Sequence, residues 1–149
     1  MKSIGAIIGD INGSVYEFCN HRSKNFSLFS NKMFFTDDTV LTIAVMDALI
    51  HKKDYTEAIR EWAKKYPHCS WGCSFARWLN EKNPQPYNSF GNGAAMRISP
   101  VGLIAKDENE VEKLSYEITS ITHNHEEGIK GAYITAMCVY YARKVKTKE

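Results

Sequence analysis

The stretch Phe35-Thr36-Asp37-Asp38-Thr39 sets two adjacent carboxylates among hydroxyls, just ahead of an apolar helical run. Hard cations take oxygen ligands, carboxylates first, and magnesium leaves part of its octahedron to water and substrate. Metal-assisted chemistry is one reading of the cluster. A plain helix start is the other, because threonine caps well and the helix dipole favours aspartate in a first turn. A second candidate is Gly91-Asn92-Gly93-Ala94-Ala95-Met96-Arg97, where two glycines free the backbone to approach a ligand and a following helix start would offer N–H groups to phosphate. Arg97 would add a charge-assisted fork, although a tight turn also accounts for Gly-Asn-Gly. Thr122-His123-Asn124-His125 places two imidazoles at a junction, and one of them is expected to be innocent. Glu17, beside Tyr16, is a further acid able to orient substrate or water.

Helical periodicity must position these groups. Ile4 to about Cys19 carries an apolar stripe of Ile4, Ile7, Ile8, Ile11 and Val15, with Asp10, Ser14 and Glu17 on the opposite face. Gly5, Gly9 and Gly13 recur every fourth residue, which predicts close approach of a neighbouring backbone or of a ligand. Residues 20–35 read as a loop. Helices follow from about Asp37 to His51, from Tyr55 to Tyr66 behind a cap of Asp54 with Glu57, and from Trp71 to Leu79. The prolines Pro84 and Pro86 open a loop that runs to Ala94, where helix can resume. Asn109 with Glu112 predicts a cap for the helix carrying Val111, Leu114, Ile118 and Ile121, and the last helix is expected from near His125-Glu126-Glu127. Six or so helices with no alternating strand predict a compact all-α bundle, one domain over residues 1–149.

A net charge of +2, with basic residues scattered outside the tail Arg143, Lys144, Lys146 and Lys148, predicts no nucleic-acid surface. No apolar run approaches bilayer length, and an early Asp10 interrupts any signal-peptide core, so no membrane partner and a cytoplasmic location are expected. Cys19, Cys69, Cys73 and Cys138 are too dispersed for a disulfide scaffold and are expected as free, small buried hydrophobes. His68, Cys69 and Cys73 lack the second pair that a structural zinc site needs.

Taken in order, Asp10 with Glu17, Thr36-Asp37-Asp38-Thr39, Ser89 to Gly102 around Gly91-Asn92-Gly93, and Thr122-His123 resemble the ADP-ribosylglycohydrolase family along nearly the whole chain. The resemblance implies that family's all-α fold, a two-magnesium (Mg2+) centre, and cleavage of the bond between ADP-ribose and an acceptor. It implies Thr36, Asp37 and Asp38 as metal ligands, Glu17 with Asp37 and Asp38 as the catalytic set, and Gly91, Asn92, Gly93 and His123 as the substrate-binding set. The implied partner is an ADP-ribosylated protein or a small ADP-ribosyl compound. One departure is large: the family's later Asp-x-Asp-Thr motif, which supplies the other metal ligands, is missing, and no aspartate follows Asp107. The chain therefore reads as truncated on its C-terminal side, completed by another chain or a second copy, or else as a relative that binds ADP-ribose without hydrolysing it. A purely structural role, as in a lens crystallin relative, is the remaining alternative.

Overall fold

The computed structural model describes residues 4–145, which hold seven α-helices and no strand. The helices are α1 Ile4–Gly13, α2 Asp37–His51, α3 Tyr55–Lys65, α4 Cys73–Asn80, α5 Ser99–Ile104, α6 Glu108–Ser120 and α7 Glu126–Lys144, with a 3-10 turn at Ser14–Tyr16. The expected all-α class is what forms. Among the described residues no helix is long and apolar enough to cross a membrane.

The core is a continuous cluster. α2 contributes Leu41, Ala44 and Val45, α3 adds Ile59, α4 adds Trp78, and α5 to α7 add Val101, Ile118, Ala132 and Ala136, all nearly inaccessible to water. α2 packs on α3, and Asp47 near the end of α2 locks that pair by accepting from Trp62 Nε1 at 2.9 Å and Lys53 Nζ at 2.8 Å. α7 is covered by α5 and α6. Gly102 makes the closest approach there, since a Cβ on it would lie 2.3 Å from the Ala136 carbonyl oxygen.

Three boundaries differ from the sequence expectation. The helix read to Cys19 ends at Gly13, because Ser14 Oγ bonds back to Ile11 O at 2.9 Å and the chain tightens into the 3-10 turn. Helix resumes at Ser99 rather than Ala94. Pro100 needs no N–H in a first turn, whereas 92–97 form successive turns. The cap of α6 is Asp107, which accepts from Glu110 N at 2.8 Å while Glu110 accepts from Lys106 N at 2.6 Å. That repeats the expected Asn109-Glu112 spacing two residues earlier, with a charged acceptor in place of an amide.

The glycine repeat of α1 has no close neighbour, because nothing among the described residues lies within 4 Å of a Cβ placed on Gly5, Gly9 or Gly13. Its apolar stripe is largely open, with Ile4 at 54% and Ile8 at 44% exposure. The cysteines are free, but Cys19, Cys73 and Cys138 are exposed rather than buried, which corrects the expectation of core packing. Lys146 and Lys148 of the basic tail lie outside the described residues.

Candidate active site

The N-terminus of α2 is built around Asp10. Its Oδ2 accepts from Thr36 N at 2.8 Å, Thr39 N at 3.2 Å and Thr39 Oγ1 at 2.5 Å, and its Oδ1 accepts from Thr36 Oγ1 at 2.6 Å. Thr36 in turn caps the helix by accepting from Asp38 N at 3.3 Å. Its hydroxyl thus keeps one uncommitted lone pair, and the side chain is buried behind the two aspartates. With Thr36 and Thr39 held from behind, Asp37 and Asp38 are left to project forward.

They project into a cleft of about 480 Å³. It is lined by Glu17, Asp37 and Asp38, by Gly91, Asn92, Gly93 and His123, and by Ser70, Gly72, Cys73, Ser74 and Tyr87. Every residue singled out for catalysis or binding therefore lines one cavity, and Thr36 stands just behind it. The wall from Ser70 to Ser74 and Tyr87 was not read from sequence, because serines and a glycine before a short helix carry no spacing that distinguishes a cleft wall from a loop. Cys73 belongs to it as the first residue of α4.

The acidic wall is electrostatically strained. Burial first, then Asp38, Glu17 and Asp10, push the Asp37 carboxyl up to about 6, and burial with Asp10 and Glu17 raises Asp38. No protein cation among the described residues pairs with either aspartate. Carboxylates that raise one another in this way fit a divalent cation, whose charge would offset the repulsion and whose ligand preference is hard oxygen. Among the described residues, however, no group of three or more His, Cys, Asp or Glu side chains converges tightly enough to hold an ion alone.

The Gly91 to Arg97 stretch lacks the immediate helix start that was part of the expected phosphate nest. Gly91 N donates to Ser89 Oγ at 3.1 Å and Met96 N to Asn92 O at 3.0 Å, so these amides serve the turns. Arg97 lies beneath the lining of the cleft and is committed inward: fully buried, it donates from Nη2 to Ile118 O at 3.1 Å and Thr122 Oγ1 at 2.7 Å. Burial lowers its guanidinium to about 10. His123 lies 4% exposed, and burial together with Arg97 lowers its imidazole to about 4, so it is neutral at pH 7. His125 is the innocent member, capping α7 by accepting from Glu127 N at 3.1 Å.

The family model described as ADP-ribosylglycohydrolase matches residues 3–149. The chain belongs to the ADP-ribosylglycohydrolase family. Among curated members it is 27% identical to mouse (Mus musculus) ADP-ribosylhydrolase ARH3 over 173 residues, covering 93% of this chain and 47% of that protein. It is 25% identical to the human protein of the same name, covering 93% of this chain and 48% of the relative, and 27% identical to the chicken (Gallus gallus) one over 127 residues, 72% and 35%. The chain thus spans about half the length of the mouse and human relatives. This ADP-ribosylglycohydrolase homologue fixes its 88–93 loop by backbone contact, since a Cβ on Gly128 would lie 2.7 Å from Ser89 O. Replacing Gly128 by alanine should displace that loop and cost about 1–3 kcal/mol of overpacking, read as a lowered urea midpoint.

Proposed function

We propose that this chain forms the acidic and sugar-facing part of a magnesium-dependent, cytoplasmic hydrolase that cleaves the bond between ADP-ribose and an acceptor, either a protein side chain or a small compound. The observation that carries the proposal is the single cleft joining Glu17, Asp37 and Asp38 to Gly91, Asn92, Gly93 and His123. Asp37 and Asp38, with Thr36 behind them, would hold the cation. Bound there, magnesium would supply Lewis-acid polarisation and an activated water. The protein's own groups do the rest. Glu17, exposed at the end of the 3-10 turn, orients substrate or water, the Gly91-Asn92-Gly93 turn admits ligand backbone-close, and His123 donates to a ligand oxygen. The remaining metal ligands would come from a complementing chain or a second copy.

The shortage of convergent carboxylates favours a second reading, in which the chain binds ADP-ribose without hydrolysing it. Incubation with an ADP-ribosylated protein separates the two. Magnesium-dependent release of ADP-ribose, by the chain alone or with a protein encoded beside it, supports the hydrolase. Calorimetric binding of ADP-ribose that is indifferent to magnesium and yields no product supports the binder, and would overturn the first proposal.

A further inference from the structure

The geometry points to Arg97 and Thr122 as positioning residues that fix His123 in the tautomer protonated at Nε2, presenting to the cleft a hydrogen-bond donor and never an acceptor. The assignment deepens the functional proposal and rests on His123 as a ligand-facing group, but its geometric core stands without any ligand.

The Thr122 hydroxyl has one proton and two lone pairs. Arg97 is a donor only, so its Nη2 at 2.7 Å occupies a lone pair and leaves the proton to be placed. Two acceptors lie within 3.5 Å of the hydroxyl. Thr119 O lies 3.5 Å away, beyond the usual O–H···O range, and already accepts from Thr122 N at 3.2 Å and His123 N at 2.9 Å. His123 Nδ1 lies at 2.8 Å. The hydroxyl therefore donates to Nδ1, its donor strength raised by the cation behind it. An imidazole that accepts at Nδ1 while neutral must carry its proton at Nε2.

That nitrogen faces the cleft. A Cβ on Gly93 would lie 3.2 Å from His123 Cε1 and 3.3 Å from Nε2, so this edge of the ring sits over the glycine turn, and the Tyr87 ring, 5.7 Å away and tilted by 59°, closes one flank. Gly93 is needed to leave the edge accessible. The relay also gives a purpose to an expensive feature, because Arg97 is wholly buried, has no carboxylate partner among the described residues, and leaves Nε and Nη1 without hydrogen bonds. Its charge opposes any second positive charge on His123. The ligand atom facing Nε2 must therefore be an acceptor oxygen of a sugar, carbonyl or phosphate, and His123 cannot take a proton there as a general base.

The test is the two-bond 15N–1H spectrum of histidine-labelled protein at pH 7, with His123 assigned by the signal lost in His123→Asn. Wild type and Thr122→Ser should show the Nε2–H tautomer. Thr122→Val, which keeps the shape and removes the hydroxyl, should show a tautomer mixture and bind ADP-ribose about tenfold more weakly by calorimetry, with the serine variant restored. A predominant Nδ1–H tautomer in wild type overturns the assignment, as does an unchanged tautomer in a folded Thr122→Val. If Thr122→Val does not fold, the wild-type and serine spectra decide. A wild-type protein that shows Nε2–H but binds no ADP-ribose would sink the ligand proposal and leave the relay intact.

Discussion

Replacing Asp37 by asparagine is expected to stabilise the metal-free protein at pH 7, to steepen its loss of stability on acidification, and to abolish stabilisation by magnesium. Asp37 and Asp38 titrate in one sense and His123 in the other over one pH window. Asp37 has its folded-state value raised from 3.8 to about 6, so its favourable contribution is complete below 3.8 and is lost as pH rises through 6. His123 is lowered from 6.5 to about 4, so its contribution is complete above 6.5 and is lost as pH falls through 4. At full strength either shift corresponds to about 3 kcal/mol, and solvent screening of the half-exposed Asp37 reduces its share to about 1–2 kcal/mol. In wild type the Asp37 slope offsets part of the His123 slope between pH 4 and 6.5. Asp37→Asn removes the Asp37 share of that offset and leaves only Asp38 against His123, so acidification should destabilise the variant more steeply, and His123→Gln should reveal the opposite slope. Magnesium enters as a ligand that favours the folded state, so it should raise the wild-type midpoint and leave Asp37→Asn unmoved. Urea titrations from pH 4 to 7, with and without magnesium, measure all three effects. Parallel pH curves for wild type and Asp37→Asn would refute the electrostatic account of the acidic wall.

Much of this arrangement is legible in the chain, and the parts that are not share a physical cause. The helix from Asp37 to His51, the Asp54-Glu57 cap, and the inward set Phe75, Trp78 and Leu79 follow from periodicity and capping chemistry, which are local. The misplaced cap of α6 arose because Asp107-x-x-Glu110 and Asn109-x-x-Glu112 are equivalent patterns, and only the folded chain chooses between them. Arg97 defeats local reading altogether. An arginine after a Gly-Asn-Gly turn looks like an anion fork, and its inward course depends on Thr122 and Ile118, more than twenty residues away. The α1 glycines differ in another way, since their spacing predicts close approach of a neighbouring backbone or of a ligand, and among the described residues no neighbour lies within 4 Å. Periodicity puts Asp10 on the polar face of α1, but its role as acceptor for two threonines exists only once α1 and α2 meet.

That meeting makes Asp10 the position where a single change should do most harm to the acidic wall. Four donors converge on its carboxylate, two of them backbone amides of the α2 start, and hydrogen bonds to a charged acceptor are worth more than neutral ones. α1 has no buried residue of its own, so apolar packing contributes little to hold it in place. Asp10→Ala should therefore cost about 3 kcal/mol, strip amide-exchange protection from α1 and from Thr36 and Thr39, and let Asp37 and Asp38 drift apart. Asp10→Asn separates geometry from charge. Its single carbonyl oxygen can still serve the three donors that meet Oδ2, so α1 should stay docked at a cost of about 1 kcal/mol, with only the charge assistance lost. Hydrogen exchange on both variants, read beside the magnesium-dependent shift in urea midpoint, distinguishes the two contributions. Protection of α1 that survives Asp10→Ala would mean that its half-open apolar stripe, and not the carboxylate, anchors the first helix to the cleft.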